Sequence, residues 1–188
     1  ELAVHFERGR DYRKAVQYLQ YAGENAIRRS ATVEAVSHLA RGLELLRTLS
    51  DTPERGQREL TLQIALGPAL IVVKGHTALE VEQTYTRALE LCQLRRETPQ
   101  RFLALRGLQF FYLVRAEYQR ARELAVRLLA LAQRVQDSAF LLEAHVALGI
   151  TSFWLGDFAP VRVHLEHGMT LYDRPQHRSH TFRYGQDP

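Results

Sequence analysis

The segment LVRAEYQRA at residues 113–121 returns as WLGDFAPV at residues 154–161, which sets Ala121 and Val161 40 positions apart. A further step of 40 towards the start reaches Val81, inside EVEQTYTRALELCQ (80–93). The later copy of that segment is RARELAVRLLALAQ (120–133), so Gln93 and Gln133 end the two copies in register. An earlier unit, centred on Ala35, is offset by a longer connection at 50–57. Each copy is long enough for two helices. A single helix pair cannot hide its apolar face, so each pair needs the next, and a fixed period is the mark of stacking.

Working outward, helical spacing of apolar residues runs from end to end, and no alternating strand segment bounded by hairpin turns interrupts it. After Asp11 the stripe is Tyr12, Ala15, Val16, Leu19, Ala22 and Ala26; after Thr32 it is Val33, Val36, Leu39, Leu43 and Leu46. Thr52-Pro53-Glu54 supplies an N-cap, a proline at the first helical position and an acid in the first turn, and Thr98-Pro99 repeats the device. Thr77-Ala78-Leu79-Glu80 reads as a capping box, and Asp137 and Asp157 as caps of the last two helices. The pattern predicts helices at 1–8, 12–30, 33–49, 53–73, 78–95, 99–114, 117–134, 138–154 and 158–171. Connections of two to five residues fold neighbours back antiparallel. Pro68, inside the fourth helix, predicts a bend that curves this repeat over its neighbour. Small residues Gly107, Ala121, Ala125 and Gly149 fall where paired helices approach closely.

Hydrophobic residues make up 46% and charged residues 24%, a balance that fits a globular chain and neither a disordered nor a membrane protein. The longest apolar run, Ala69–Val73, is far short of the ~20 residues a membrane span requires. No charged start followed by an apolar block is present. The chain opens at Glu1 within a helical pattern, which reads as a piece of a longer polypeptide. One cysteine, Cys92, excludes an internal disulfide framework or a multi-cysteine zinc site. Leucines at 89, 91 and 94 make it a buried small hydrophobe, and a reducing cytoplasm is the expected compartment. The net charge of +4 is unevenly placed, with 12 basic and 12 acidic side chains in residues 1–94 and 13 and 9 in residues 95–188, and it lacks the clustered stripe that nucleic acid binding needs.

Catalytic chemistry finds no purchase in the sequence. No glycine-rich loop ends in Gly-Lys-Ser/Thr, and neither Lys14 nor Lys74 sits where a phosphate-loop lysine would. Asp11, Asp51, Asp137, Asp157, Asp173 and Asp187 fall mostly at helix caps. His164 and His167 share one helix face at i, i+3, a spacing that places two ligands on one metal. Glu166 is adjacent and His177 and His180 are in the tail, but no third ligand is evident, so a solvated helix end is favoured. His145 reads as a hydrogen-bonded core residue. No catalytic, cofactor-binding or metal residue is expected.

Leu148-Gly149 followed by Gly156-Asp157-Phe158, and Tyr112 followed by Glu117-Tyr118-Gln119-Arg120-Ala121, resemble the tetratricopeptide signature. That signature pairs Leu-Gly and an aromatic in the first helix with a Gly-Asp-Tyr turn and an alanine in the second. This chain departs from it in its longer period, in Val161 at the alanine position and in lacking the closing proline. Helical repeats of the HEAT kind are a lesser alternative. The resemblance implies an all-α, right-handed α-solenoid of antiparallel helix pairs, about four repeats long, over residues 1–172. Residues 173–188 are then a loop or the start of a truncated next repeat.

A second resemblance rests on Leu2-Ala3-Val4-His5-Phe6-Glu7, Ala15-Val16-Gln17-Tyr18-Leu19, Ala22-Gly23-Glu24-Asn25-Ala26 and the run from Ala35 to Leu46. With Leu66-Gly67-Pro68-Ala69-Leu70 and Tyr184-Gly185-Gln186-Asp187-Pro188, these are similar to the region after the ATPase module in bacterial predicted-ATPase proteins. Many of those also carry an adenylate/guanylate cyclase or protein kinase domain. The resemblance implies a cytoplasmic signalling parent in which the repeats receive a signal.

In tetratricopeptide folds the first helix of each pair lines a concave groove. Carried over, this places Arg106, Phe110, Leu113, Ile150 and Phe153 in the groove, where an arginine beside exposed aromatics suits an extended peptide or an acidic side chain. The expected function is a protein-interaction scaffold. A small-molecule inducer sensor is the alternative, followed by RNA-binding repeats, for which no base-reading residue recurs at 81, 121 and 161. Exposed repeat ends also predict self-association.

Overall fold

The computed structural model describes residues 2–95 and 98–173, and among them every regular element is a helix. The order is α1 (Leu2–Arg8), α2 (Tyr12–Arg28), α3 (Thr32–Arg47), α4 (Pro53–Lys74), α5 (Leu79–Arg95), α6 (Thr98–Val114), α7 (Tyr118–Val135), α8 (Ser138–Trp154) and α9 (Phe158–Leu171). Packing divides the chain into two compact units between residues 95 and 96. The first holds α1–α5 and the second α6–α9, and within each unit every helix packs on its neighbours in sequence.

In the first unit Ala15, Val16 and Leu19 of α2 and Ala35, Leu39 and Leu46 of α3 are all buried, with Leu39 against Gly23 and Leu19 against Gly42. The buried stripe of α3 also takes in Gly42 and Leu45. Val33 stands outside that stripe and is 70% exposed, correcting its place in the expected core face. The helix α4 is covered on nearly every side, with Leu60, Leu62, Leu66, Ala69 and Leu70 all buried, and so shows little amphipathic bias. It runs through Pro68 without a break. Immediately before Pro68, the Tyr85 ring of α5 lies against the bare Cα of Gly67, leaving no room for a β-carbon. The second unit centres on Phe102, Leu105, Phe111, Leu128 and Leu142, and Phe102 stacks on Phe140 at 4.2 Å between ring centres. There Gly149 of α8 admits Leu165 of α9.

Four connections share one turn. Arg10, Ser30, Ala116 and Gly156 each take a left-handed backbone conformation, φ 59°, 58°, 60° and 75°. The amide of the next residue, Asp11, Ala31, Glu117 or Asp157, then donates to the carbonyl five positions earlier, at 2.9 to 3.0 Å. This is the Schellman closure, and it satisfies carbonyls that a helix end leaves free. Gln136 turns the chain between α7 and α8 with φ 59°, its amide donating to the Ala132 carbonyl.

The caps follow the sequence in part. The side chains of Asp11, Thr52 and Asp137 accept from the amides of Lys14, Arg55 and Phe140 at 3.2, 3.2 and 3.0 Å. Asp157 makes no side-chain cap bond. Thr32 lies inside α3, whose cap position is Ala31. The helix α5 opens at Leu79, one residue after the capping box requires, and the Glu80 carboxylate goes to Lys74 at 2.5 Å. The side chain of Thr98 and the tail from residue 174 lie outside the described residues.

Candidate functional site

In the first unit, three helices enclose a cleft of about 700 Å³ that opens to solvent. Its floor is α4, where Glu59, Gln63, Leu66 and Leu70 fall on one face at helical spacing. One wall is α3, presenting Val36, Ala40, Leu43 and Arg47, and the other is α5, presenting Glu80, Gln83, Thr84 and Arg87. Val36, Ala40 and Leu43 are half-buried, and these apolar residues lie beside the stripe that packs α3 into the core. Its sequence periodicity is therefore broad because the helix serves two faces.

The polar groups of the cleft divide into paired and open ones. Glu59 is 9% exposed and takes a two-point grip from Arg87, whose Nε and Nη2 donate to its two carboxylate oxygens at 2.6 and 3.2 Å. Those bonds push the Arg87 guanidinium further above its usual range. Arg55 approaches Glu59 at 3.8 Å, donates from Nε to the Leu46 carbonyl at 2.8 Å, and pairs with Asp51 at 2.9 Å. Bidentate arginine–carboxylate pairs fix geometry as well as charge, so one end of the cleft is rigid. Gln63 and Thr84 differ. They are only 9% and 6% exposed as residues, yet neither has a sealed-off polar atom, so their amide and hydroxyl face the open cleft. Arg47, exposed on the α3 wall, has no carboxylate partner among the described residues.

The five groove positions expected from sequence lie in the second unit and divide by burial. Arg106 and Leu113 are buried at 3% and 7% exposure, Phe110 and Ile150 are half-buried, and Phe153 is 52% exposed. Arg106 is therefore corrected from a groove-facing cation to an internal one. Its Nε donates to fully buried Glu143 of α8 at 3.2 Å and its Nη1 to Gln109 at 2.8 Å, while its charge lies 5.6 Å from the Phe110 ring centre. Gln109 continues the network to Thr151 at 3.0 Å. The network joins α6 to α8, and replacing Arg106 would take a cationic partner from the fully buried Glu143 carboxylate. The acid that claims it is 37 residues away, and nothing local in the sequence announces the pair.

The remaining candidates are placed as follows. Cys92 is fully buried, as its leucine neighbours imply. His145 of α8 is half-buried and meets both His164 and His167 of α9, a grouping that i, i+3 spacing on one helix did not disclose. Glu59, Gln63, Thr84 and Arg87 were missed. Their signal was polar residues at i, i+4 on an otherwise apolar face of α4 and opposite it on α5.

No family model matches the chain. An uncharacterised protein of Rhizobium meliloti (strain 1021) is 24% identical over 186 residues, covering 98% of this chain. The chain spans 18% of that relative's length. Among solved structures, BtubC (BKLC) from P. vanneervenii superposes with a TM-score of 0.74 at 16% identity, over 100% of this chain and 81% of that one. The apo form of RapI gives 0.70 at 16% identity, over 89% of this chain and 45% of that one. Both are tetratricopeptide-like helical repeats. The fold is an all-α helical repeat of the tetratricopeptide-like kind. None of its described helices is long and apolar enough to cross a membrane.

Proposed function

We propose that this helical repeat is a protein-interaction domain whose α3–α4–α5 cleft holds a short segment of a partner, carrying an apolar side chain next to an acid. One observation carries the reading. Gln63 and Thr84 are polar side chains of low exposure that border an apolar-floored cleft, with polar atoms that reach solvent through its opening. A peptide backbone offers donors and acceptors in place of the water that serves such groups, a net gain of about 0.5–1.5 kcal/mol per hydrogen bond. Leu43, Leu66 and Leu70 suit an apolar anchor, and Arg47 supplies the cation for an acidic neighbour. Phe110, Ile150 and Phe153 extend the proposal to a secondary contact in the second unit.

The domain works within a larger protein, without chemistry of its own. The much longer Rhizobium relative and the resemblance to repeats that follow bacterial ATPase modules both support this, with a cytoplasmic signalling ATPase or cyclase as the parent. Panning a random peptide library against the full chain tests the cleft. Enriched peptides should pair an apolar residue with Asp or Glu, and Arg47→Glu should weaken them about tenfold. Peptides that bind a Leu43→Asp variant as tightly as the original would place the interaction elsewhere. A small-molecule sensor is the second reading, supported by a cleft within the size range of ligand pockets. It gains if panning yields no peptide while a small-molecule library yields binders lost in Thr84→Val.

A further inference from the structure

The histidines gathered where α9 packs on α8 play no part in the cleft. His145 projects from the middle of α8, and His164 and His167 project from α9 three residues apart. The Nδ1 atoms of His145 and His164 stand 3.1 Å apart. The ring centre of His145 is 5.3 Å from that of His164 and 5.1 Å from that of His167. Two imidazole nitrogens held by one zinc ion at about 2.0–2.1 Å, at a tetrahedral angle, lie roughly 3.3 Å from each other. Helix packing thus already sets the His145–His164 pair at a chelating separation. The pair is half-buried, with buried Leu142 and Leu148 one helical turn either side of His145 on α8. Among the described residues no three acidic, histidine or cysteine side chains surround one metal position as they stand. The site is accordingly a pair rather than a finished cage.

We propose that His145 and His164 form a two-nitrogen chelate for a divalent cation of the zinc class, one that fastens α9 to α8. Water fills the open positions, and a rotation of the His167 side chain brings in a third nitrogen. The 3.1 Å contact is a hydrogen bond in the tautomer that places a proton on one of the two Nδ1 atoms. Coordination needs both Nδ1 lone pairs, so the donor ring takes its Nε2–H tautomer, its Nδ1 proton passing to water as Nε2 takes one from water, with no net proton release. Because only the folded pair has this spacing, bound metal stabilises the docked helix by mass action.

The test uses the complete chain with any histidine tag removed, titrated with zinc chloride by calorimetry at neutral pH and melted with and without zinc. One equivalent of zinc should bind, and about 100 µM zinc should raise the unfolding midpoint by several degrees. H164Q should weaken binding at least tenfold and abolish the shift while keeping the helical circular dichroism of the parent. H167Q should weaken binding less. His177 and His180 lie outside the described residues, and the H177Q/H180Q double variant should bind as the parent does. Absence of binding at 100 µM zinc, undiminished binding by H164Q, or loss of binding confined to the tail variant would overturn the site.

Discussion

At the residue scale, the sharpest difference between sequence and structure is Arg106. Its neighbours Phe110 and Leu113 sit at helical spacing, so a one-dimensional reading treats it as the polar member of a binding face. In three dimensions Glu143 reaches it from α8, and both side chains are almost wholly enclosed. Removing one member of such a pair costs about 3–5 kcal/mol, whereas replacing both with apolar groups is often neutral. Glu143→Ala should therefore sharply lower the urea midpoint, while Arg106→Met with Glu143→Leu should recover most of the loss. Equal losses from the single and the double variant would contradict a mutually compensating pair. Gly67 makes a second test at this scale. Its β-position is occupied by the Tyr85 ring, so Gly67→Val should cost at least about 1–3 kcal/mol in urea unfolding, the usual range for overpacking.

At the element scale the helices were legible almost throughout. All nine helices of the described residues begin and end within two residues of the positions read from apolar spacing and caps. Caps were legible where a side chain does the capping, as at Asp11, Thr52 and Asp137. They were not at Asp157, where backbone geometry alone closes the turn. The Schellman turns were only half visible, because Gly156 announces a left-handed residue but Arg10, Ser30 and Ala116 do not. A residue with a β-carbon pays for that conformation, so Ala116→Gly should stabilise the chain by about 0.4–1 kcal/mol in thermal or urea melts, and Gly156→Ala should destabilise it.

Acids at the starts of α2, α5 and α7 give a pH signature. The Lys14 amide holds Asp11 below the usual carboxylate range, Lys74 does so for Glu80, and Arg115 with Arg120 does so for Glu117. A folded-state pKa below the unfolded one stabilises above the unfolded value and loses its effect as pH falls through the folded value. Stability should therefore decline as pH drops from about 5 towards 3, and the combination Asp11→Asn, Glu80→Gln and Glu117→Gln should flatten that slope. An unchanged slope would assign the acid sensitivity to other groups.

At the scale of the whole molecule, periodicity carried the fold because stacking helix pairs must repeat their apolar contacts. The cleft was harder to read. A wall needs residues that are apolar without being core, and Val36, Ala40 and Leu43 merge with the packing stripe of α3 in any linear view. Its open polar groups, Gln63 and Thr84, sit in the interior of α4 and α5, where a sequence reader expects polar residues to face solvent. The double variant Gln63→Leu with Thr84→Val separates stability from binding in one measurement pair, urea unfolding of the free chain and affinity for a panned peptide. The free chain should keep its stability to within about 1 kcal/mol, while the peptide binds at least tenfold more weakly. A less stable chain with undiminished affinity would show that these side chains hold the fold together and that the cleft receives no partner.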